Sequence, residues 1–255
     1  MMHLEELISV MEIPPIARSI LSRSLPELDR CILHDPMAPM RRVMGIATLQ
    51  ISATWPQGLR RLLATEARSL LNVSEFPASE NDYCTDLSPI YTALKEDCLE
   101  SVGLLMNAGC QFCFDWERWE YTPDLSHECA AVLASHLAKR RQALLRIAQR
   151  RLGIYLSYSP LDVADGIAAQ LSSTIWNARI PISPCLIVEP DYATIYHKHQ
   201  LPIKLFPIFF EKGFWHTKSH DNMGLTPVMV WRAPFWPGKQ FSLGQPSETL
   251  TWLNN

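Results

Sequence analysis

The chain has 255 residues, of which 47% are hydrophobic and 19% charged, and its formal net charge at pH 7 is −3. This composition is sufficient for a packed core and excludes a disordered chain, and the near-neutral charge excludes a globally basic nucleic-acid binder. Ten glycines in the whole chain are too few to favour a fold built on glycine-rich phosphate loops. The sequence therefore predicts a globular protein of one large domain or two small ones.

The N-terminal segment predicts amphipathic helices and no export signal. Glu5 stands where a signal peptide needs positive charge, and Pro14 interrupts the apolar stretch. Residues 4–10 and 16–25 have amphipathic patterns, and we expect 1–43 to form a helical cap over the segments that follow. No uninterrupted apolar stretch reaches the length of about 18 residues that a membrane-spanning helix needs, so we expect no membrane partner.

Residues 45–67 contain Thr48, Leu49 and Ala53 and, further along, Leu59 and Leu62. From Leu49 to Leu62 the distance along the chain is thirteen residues.

Residues 86–110 contain the clearest pattern in the chain. The segment Ser88-Pro89-Ile90-Tyr91 precedes an alanine, and a leucine pair at 104–105 and then Gly109 follow. Proline suits the first turn of a helix, where no amide is needed. The leucines predict a second helix that packs on its neighbours, and Gly109 predicts a left-handed end to that helix.

This order of residues resembles the ankyrin repeat. Ser88-Pro89-Ile90-Tyr91 stands where that family has T-P-L-H, and the fifteen residues from Ile90 to Leu105 equal the family's spacing. Residues 45–67 resemble the same repeat with two residues fewer between the helices and with Glu66 in place of glycine. The resemblance implies two ankyrin-like repeats over 44–113. It also implies binding of proteins through projecting loops and first helices, and no catalysis.

An aromatic loop follows the second repeat. Trp116, Arg118, Trp119 and Tyr121 lie close together in the sequence, and this composition is typical of interface hot spots. We therefore predict these four residues as protein-binding candidates. The alternative is that the tryptophans pack the next helix against the second repeat.

Catalytic and metal-binding motifs are not found. The sequence contains no Walker A, dinucleotide-binding, G-x-S-x-G or H-E-x-x-H pattern. Cys110 and Cys113 have a C-x-x-C spacing, with His127 and Cys129 downstream, but this is not a usual zinc set and we predict packed thiols. We predict no catalytic, cofactor-binding or metal residues. The seven cysteines are irregularly spaced, which favours reduced thiols in the cytoplasm or nucleus.

Residues 126–152 predict one long helix with Ser126 as its N-cap. Apolar residues form a stripe along it: Cys129, Leu133, Leu137, Leu144, Ala148 and Leu152. We predict that Lys139-Arg140-Arg141 and Arg146 form its solvated flank. The alternative is that the basic helix 139–151 contacts phosphates, as in a nuclear protein associated with nucleic acid. With another helix near 161–171, it forms a predicted helical insertion over 114–191.

Residues 192–255 resemble one further ankyrin-like repeat and part of another. The segment Ile195-Tyr196-His197, after Thr194, stands for P-L-H, and Gly213 stands for the glycine that ends the second helix. Asp221-x-x-Gly224-x-Thr226-Pro227 resembles the opening of the next repeat, and Tyr196 to Val228 is the expected step of thirty-two residues. We expect that last repeat to be truncated. Trp215 and His216 would lie at the tip of the third repeat and are further protein-binding candidates.

The sequence as a whole predicts an all-α protein. Its architecture is expected to be an ankyrin-type helical solenoid with degenerate repeats, interrupted by a long-helix insertion. In this respect it looks like the large, degenerate ankyrin proteins common in filamentous fungi. The predicted function is a non-catalytic protein–protein interaction module, and the alternative is nucleic-acid association through 139–151.

Overall fold

The computed structural model describes residues 13–43, 46–72, 88–112, 125–155, 165–188, 194–197, 203–221, 223–232 and 251–253. These residues are mostly helical, so the all-α prediction is confirmed. Within these ranges the strands are β1 (Arg42–Val43) and β2 (Ile46–Ala47), which pair antiparallel with Val43 opposite Ile46. Strands this short leave no alternating pattern from which to predict them.

The chain divides into two compact units. The first comprises Met1–Gln111 and Pro123–Leu125, and the second comprises Phe112–Thr122 and Ser126–Asn255.

The described residues of the first unit contain three helix pairs. They are α1 (Pro15–Leu21) with α2 (Leu25–His34), α3 (Thr48–Ile51) with α4 (Pro56–Leu63), and α5 (Pro89–Lys95) with α6 (Leu99–Ala108). Short 3₁₀ helices lie at Ala38–Met40, Ser52–Thr54 and Glu66–Leu70. Helix α1 packs against α3 and α3 against α5, while α2 packs against α4 and α4 against α6. First helices therefore contact first helices, and second helices contact second helices.

Two of these pairs are joined by the same turn. Arg23 has φ 52° between α1 and α2, and Asp97 has φ 49° between α5 and α6. In each turn, three successive amides donate to carbonyls four, three and five residues earlier; the donors are Ser22, Arg23 and Ser24, and Glu96, Asp97 and Cys98. This is the Schellman helix end. The segment expected to be a cap thus contains a helix pair built like that of α5 and α6.

The core of the first unit includes residues of the predicted repeats. Leu59, Leu62 and Leu105 are completely buried. Gly109 has φ 97° and ends α6 in the left-handed conformation, which confirms that prediction. Between α3 and α4, the indole of Trp55 lies across Gly58, where a Cβ would be only 2.0 Å from a ring carbon. The shortened turn of this pair therefore requires glycine for a close approach.

The second unit is built around a long helix, α7 (His127–Leu152), which packs against α8 (Asp165–Asn177) and α9 (Phe206–Glu211). As predicted, Ser126 caps α7, its Oγ accepting the Cys129 amide at 3.1 Å. The unit also contains α10 (Pro227–Arg232) and 3₁₀ helices at Pro184–Leu186, Ile195–His197 and Ile203–Leu205. Aliphatic side chains of α7 and α8 form one core cluster: Leu144, Leu145, Ala148, Ala168, Leu171 and Ile175.

Candidate protein-interaction surface

Two of the six predicted protein-binding residues can be placed. Trp116, Arg118, Trp119 and Tyr121 lie outside the described residues. Trp215 and His216 lie in the second unit, in the segment between α9 and α10, where Trp215 is 42% exposed and His216 is half-buried. The candidate surface is therefore the segment between α9 and α10.

Phe214 holds the start of the segment in place. Its ring packs edge-to-face on Phe209 with 5.5 Å between centroids, and the guanidinium of Arg141 lies 3.6 Å from the ring centre. The carbonyl oxygen of Phe214 accepts the hydroxyl of Tyr196 at 2.5 Å. The carbonyl of Gly213, which has φ 88°, accepts Nη2 of Arg141 at 3.2 Å. Apolar packing, a buried cation and hydrogen bonds thus combine at one point.

A hydrogen bond between His197 and the carbonyl of Leu225 holds the end of the segment in place. The amide of Thr194 donates to Nδ1 of His197 at 3.0 Å, and the Thr194 hydroxyl lies 2.9 Å from the same nitrogen. Because Nδ1 accepts, the imidazole proton is on Nε2, which donates to the carbonyl of Leu225 at 2.9 Å. A single imidazole, only 6% exposed, therefore joins the T-x-x-H segment to the start of the next predicted repeat.

A turn at Asp221 presents Met223 to solvent. The Asp221 Oδ1 accepts the amides of Met223 and Leu225 at 2.9 and 2.8 Å. Gly224 has φ 75°, a conformation that glycine adopts without strain. The carboxylate is used inside the turn, and the side chain of Met223 is 71% exposed.

Residues 215–221, 223 and 224, here called the 215–224 loop, form an apolar and basic surface between Phe214 and Leu225. Trp215 and Met223 are its exposed apolar side chains, and Lys218 and His220 are also exposed. Aromatic side chains and methionine are enriched in protein interfaces. Because both ends of the loop are fixed, a partner has less conformational entropy to remove on binding.

Met223 was not identified as a candidate from the sequence. The D-x-x-G pattern could have indicated Met223, because the turn itself requires Asp221 and Gly224. Met223, which lies between them, is then free to face outward.

The predicted solvated flank of α7 is wrong for Arg141. This residue is only 5% exposed, because it packs on Phe214. Arg140 is half-buried, and its Nη1 donates to the carbonyls of Phe112 at 2.9 Å and Ile187 at 3.5 Å. Two of the basic residues that suggested a nucleic-acid surface therefore hold the second unit together.

The described ranges contain no cluster of three or more His, Cys, Asp or Glu side chains that could hold a metal ion. Of the predicted thiol pair, Cys110 is buried and Cys113 lies outside the described residues. Within the same part of the chain, no helix is both long and apolar enough to cross a membrane.

No family model matches this chain. Comparison with curated proteins and with solved structures likewise gives no match.

Proposed function

We propose that this chain is a degenerate ankyrin-type repeat protein that binds partner proteins and does not catalyse a reaction. The packing of the first unit supports the repeat assignment, because its helix pairs stack first on first and second on second. Stacking of this kind buries a continuous core, since each pair covers the apolar face of the next.

The second unit supports the proposal through His197. Its two ring nitrogens connect Thr194, at the start of one predicted repeat, to Leu225, just before the start of the next. This gives the histidine of the T-x-x-H pattern a physical role. It satisfies buried polar groups of two successive segments at once.

The exposed side chains on the 215–224 loop are the observation that carries the binding proposal. Trp215 and Met223 are presented from a backbone fixed at both ends. An aromatic side chain on such a backbone provides contact area at little entropic cost. We expect a protein partner to bury both side chains.

The test is a comparison of partner capture by the full-length chain and by two variants. One is the double variant W215S/M223S, which removes the apolar contacts of the loop. The matched control is W176S, because Trp176 on α8 is 67% exposed and lies outside the loop. Proteins retained from a cell extract are quantified by mass spectrometry, and the retained partner is then purified and titrated by calorimetry.

We expect W215S/M223S to bind the purified partner at least about tenfold more weakly, as loss of hot-spot side chains does. W176S should bind it like the unchanged chain. Equal binding by W215S/M223S and the unchanged chain would show that the loop is not the interface.

A further inference from the structure

Helix α7 combines many cations with very few carboxylates. Between Glu128 and Asp162 the sequence has six Lys or Arg residues and no Asp or Glu. Arg140 and Arg141 are engaged inside the second unit. The other four, which are Lys139, Arg146, Arg150 and Arg151, are exposed.

These four exposed cations make no hydrogen bond or ion pair within the part of the chain that the structure describes. The salt bridges described there are instead in the first unit, at Arg41, Arg60 and Arg61. Lys139 also lowers the pKa of His136, although burial of the imidazole is the larger cause. The charge of Lys139 therefore acts on a neighbouring side chain of the same helix.

Three of the exposed cations lie on one line along the helix. At 100° per residue, Lys139, Arg146 and Arg150 point within about 20° of one direction, and they span about 16 Å of the axis. The buried side chains Leu137 and Ala148 point to the opposite side. We call this outward side, within about 60° of Lys139, the basic face; its members between 139 and 150 are Lys139, Gln142, Ala143, Arg146 and Arg150.

The chemistry of the basic face suits phosphate better than protein. Its long side chains are lysine, arginine and glutamine, which donate hydrogen bonds, and these residue types supply the phosphate contacts in nucleic-acid complexes. Ala143 is its only apolar member, whereas a protein interface normally has an apolar centre. A distance of about 16 Å also extends past several phosphates of a duplex, which has one charge per roughly 1.7 Å of axis.

Compensation of the helix dipole does not explain this arrangement. It acts only within the last turn, where Arg150 and Arg151 lie. Lys139 and Arg146 lie farther from the C-terminus. We infer that the basic face binds the phosphate backbone of nucleic acid without reading its sequence. This activity is separate from protein binding by the 215–224 loop.

The test measures binding of the full-length chain to a fluorescein-labelled DNA duplex of mixed sequence by anisotropy at several salt concentrations. Three phosphate contacts predict a slope of log K against log salt of about −2.7. The variant K139Q/R146Q/R150Q should bind about tenfold more weakly or worse, with a slope near zero. An unchanged slope in that variant would overturn the proposal.

R150Q and R151Q provide a matched pair. The two residues are adjacent, exposed and in the last turn of α7, so both variants lose the same charge and the same dipole contact. They point about 100° apart, and only Arg150 belongs to the basic face. We expect R150Q to reduce the steepness of the slope by about 0.9 and R151Q to leave it unchanged. Equal effects would refute the assignment to this face.

Labelled polyglutamate distinguishes a phosphate backbone from an acidic protein. The duplex should bind more tightly at equal charge concentration, because arginine forms paired hydrogen bonds with phosphate in a fixed geometry. Tighter binding of polyglutamate would overturn the nucleic-acid assignment in favour of an acidic protein partner. Thermal unfolding of every variant should match that of the unchanged chain, since exposed cations without partners contribute little to stability.

Discussion

Replacement of His197 tests the connection between the two predicted C-terminal repeat segments. Three variants separate its two ring nitrogens. H197L removes both, H197N keeps an acceptor near the position of Nδ1, and H197Q keeps a donor near the position of Nε2. Because the imidazole is buried, water does not readily replace the lost partners.

The two nitrogens should not contribute equally. The amide of Thr194 has Nδ1 of His197 as its acceptor, and Thr194 is 2% exposed. The carbonyl of Leu225 also accepts the amide of Asp221 at 2.9 Å, so it keeps one partner when Nε2 is lost. A buried donor left without an acceptor costs about 1–3 kcal/mol. We therefore expect H197L to lower the free energy of unfolding by about 2–4 kcal/mol, with H197Q nearly as damaging and H197N clearly milder.

Urea unfolding followed by far-UV circular dichroism measures these differences, with the dependence on urea concentration compared among variants. H220L is the control, because His220 is exposed on the same loop, and it should change stability by less than about 0.5 kcal/mol. If H197N is as destabilising as H197Q, the two ring nitrogens do not contribute unequally. If H197L behaves like H220L, the hydrogen bonds of His197 do not stabilise the fold.

Three further predictions concern stability. L105A should lower the free energy of unfolding by about 2–5 kcal/mol, because Leu105 is completely buried. L99A is the control, since Leu99 is 41% exposed, and L105A should unfold at a clearly lower temperature than L99A. S88A should be neutral or stabilising by up to about 1 kcal/mol, because the Ser88 hydroxyl is buried with no hydrogen-bond partner; a loss of stability on chemical denaturation would contradict this. Burial of the imidazole, and then the charge of Lys139, lower the pKa of His136 in the folded protein. Below about pH 6.5, the ordinary pKa of histidine, the unfolded chain therefore binds a proton at this residue more readily than the folded chain does. Stability should therefore fall as pH drops from about 7 to about 5, and less so in H136Q.

One exposed side chain of the candidate surface was predicted from the sequence, but its most exposed apolar side chain was not. Trp215 was predicted from its position after the third repeat, and it is exposed. Met223 was missed because methionine in a loop has no periodic signal. Its exposure follows from the turn at Asp221, whose carboxylate accepts two amides.

The burial of Arg141 on α7 could have been predicted in part from helical spacing. Arg141 is four residues after Leu137 and seven before Ala148, which places it on the buried side of the helix. A charged residue at such a position is normally assigned to solvent, because burial of an unpaired charge is costly. The aromatic ring of Phe214 and the carbonyl of Gly213, both distant in the sequence, make its burial possible.

Features that depend on neighbouring residues were determined by the sequence itself. Ser126 caps α7, Gly109 ends α6 with a positive φ, and Leu59, Leu62 and Leu105 are buried, because caps, glycine conformations and amphipathic faces need only a few adjacent residues. Tertiary structure alone decided that Arg141 is internal and that His197 joins Thr194 to Leu225. Those roles depend on groups tens of residues away, and their desolvation is balanced only once the chain has folded.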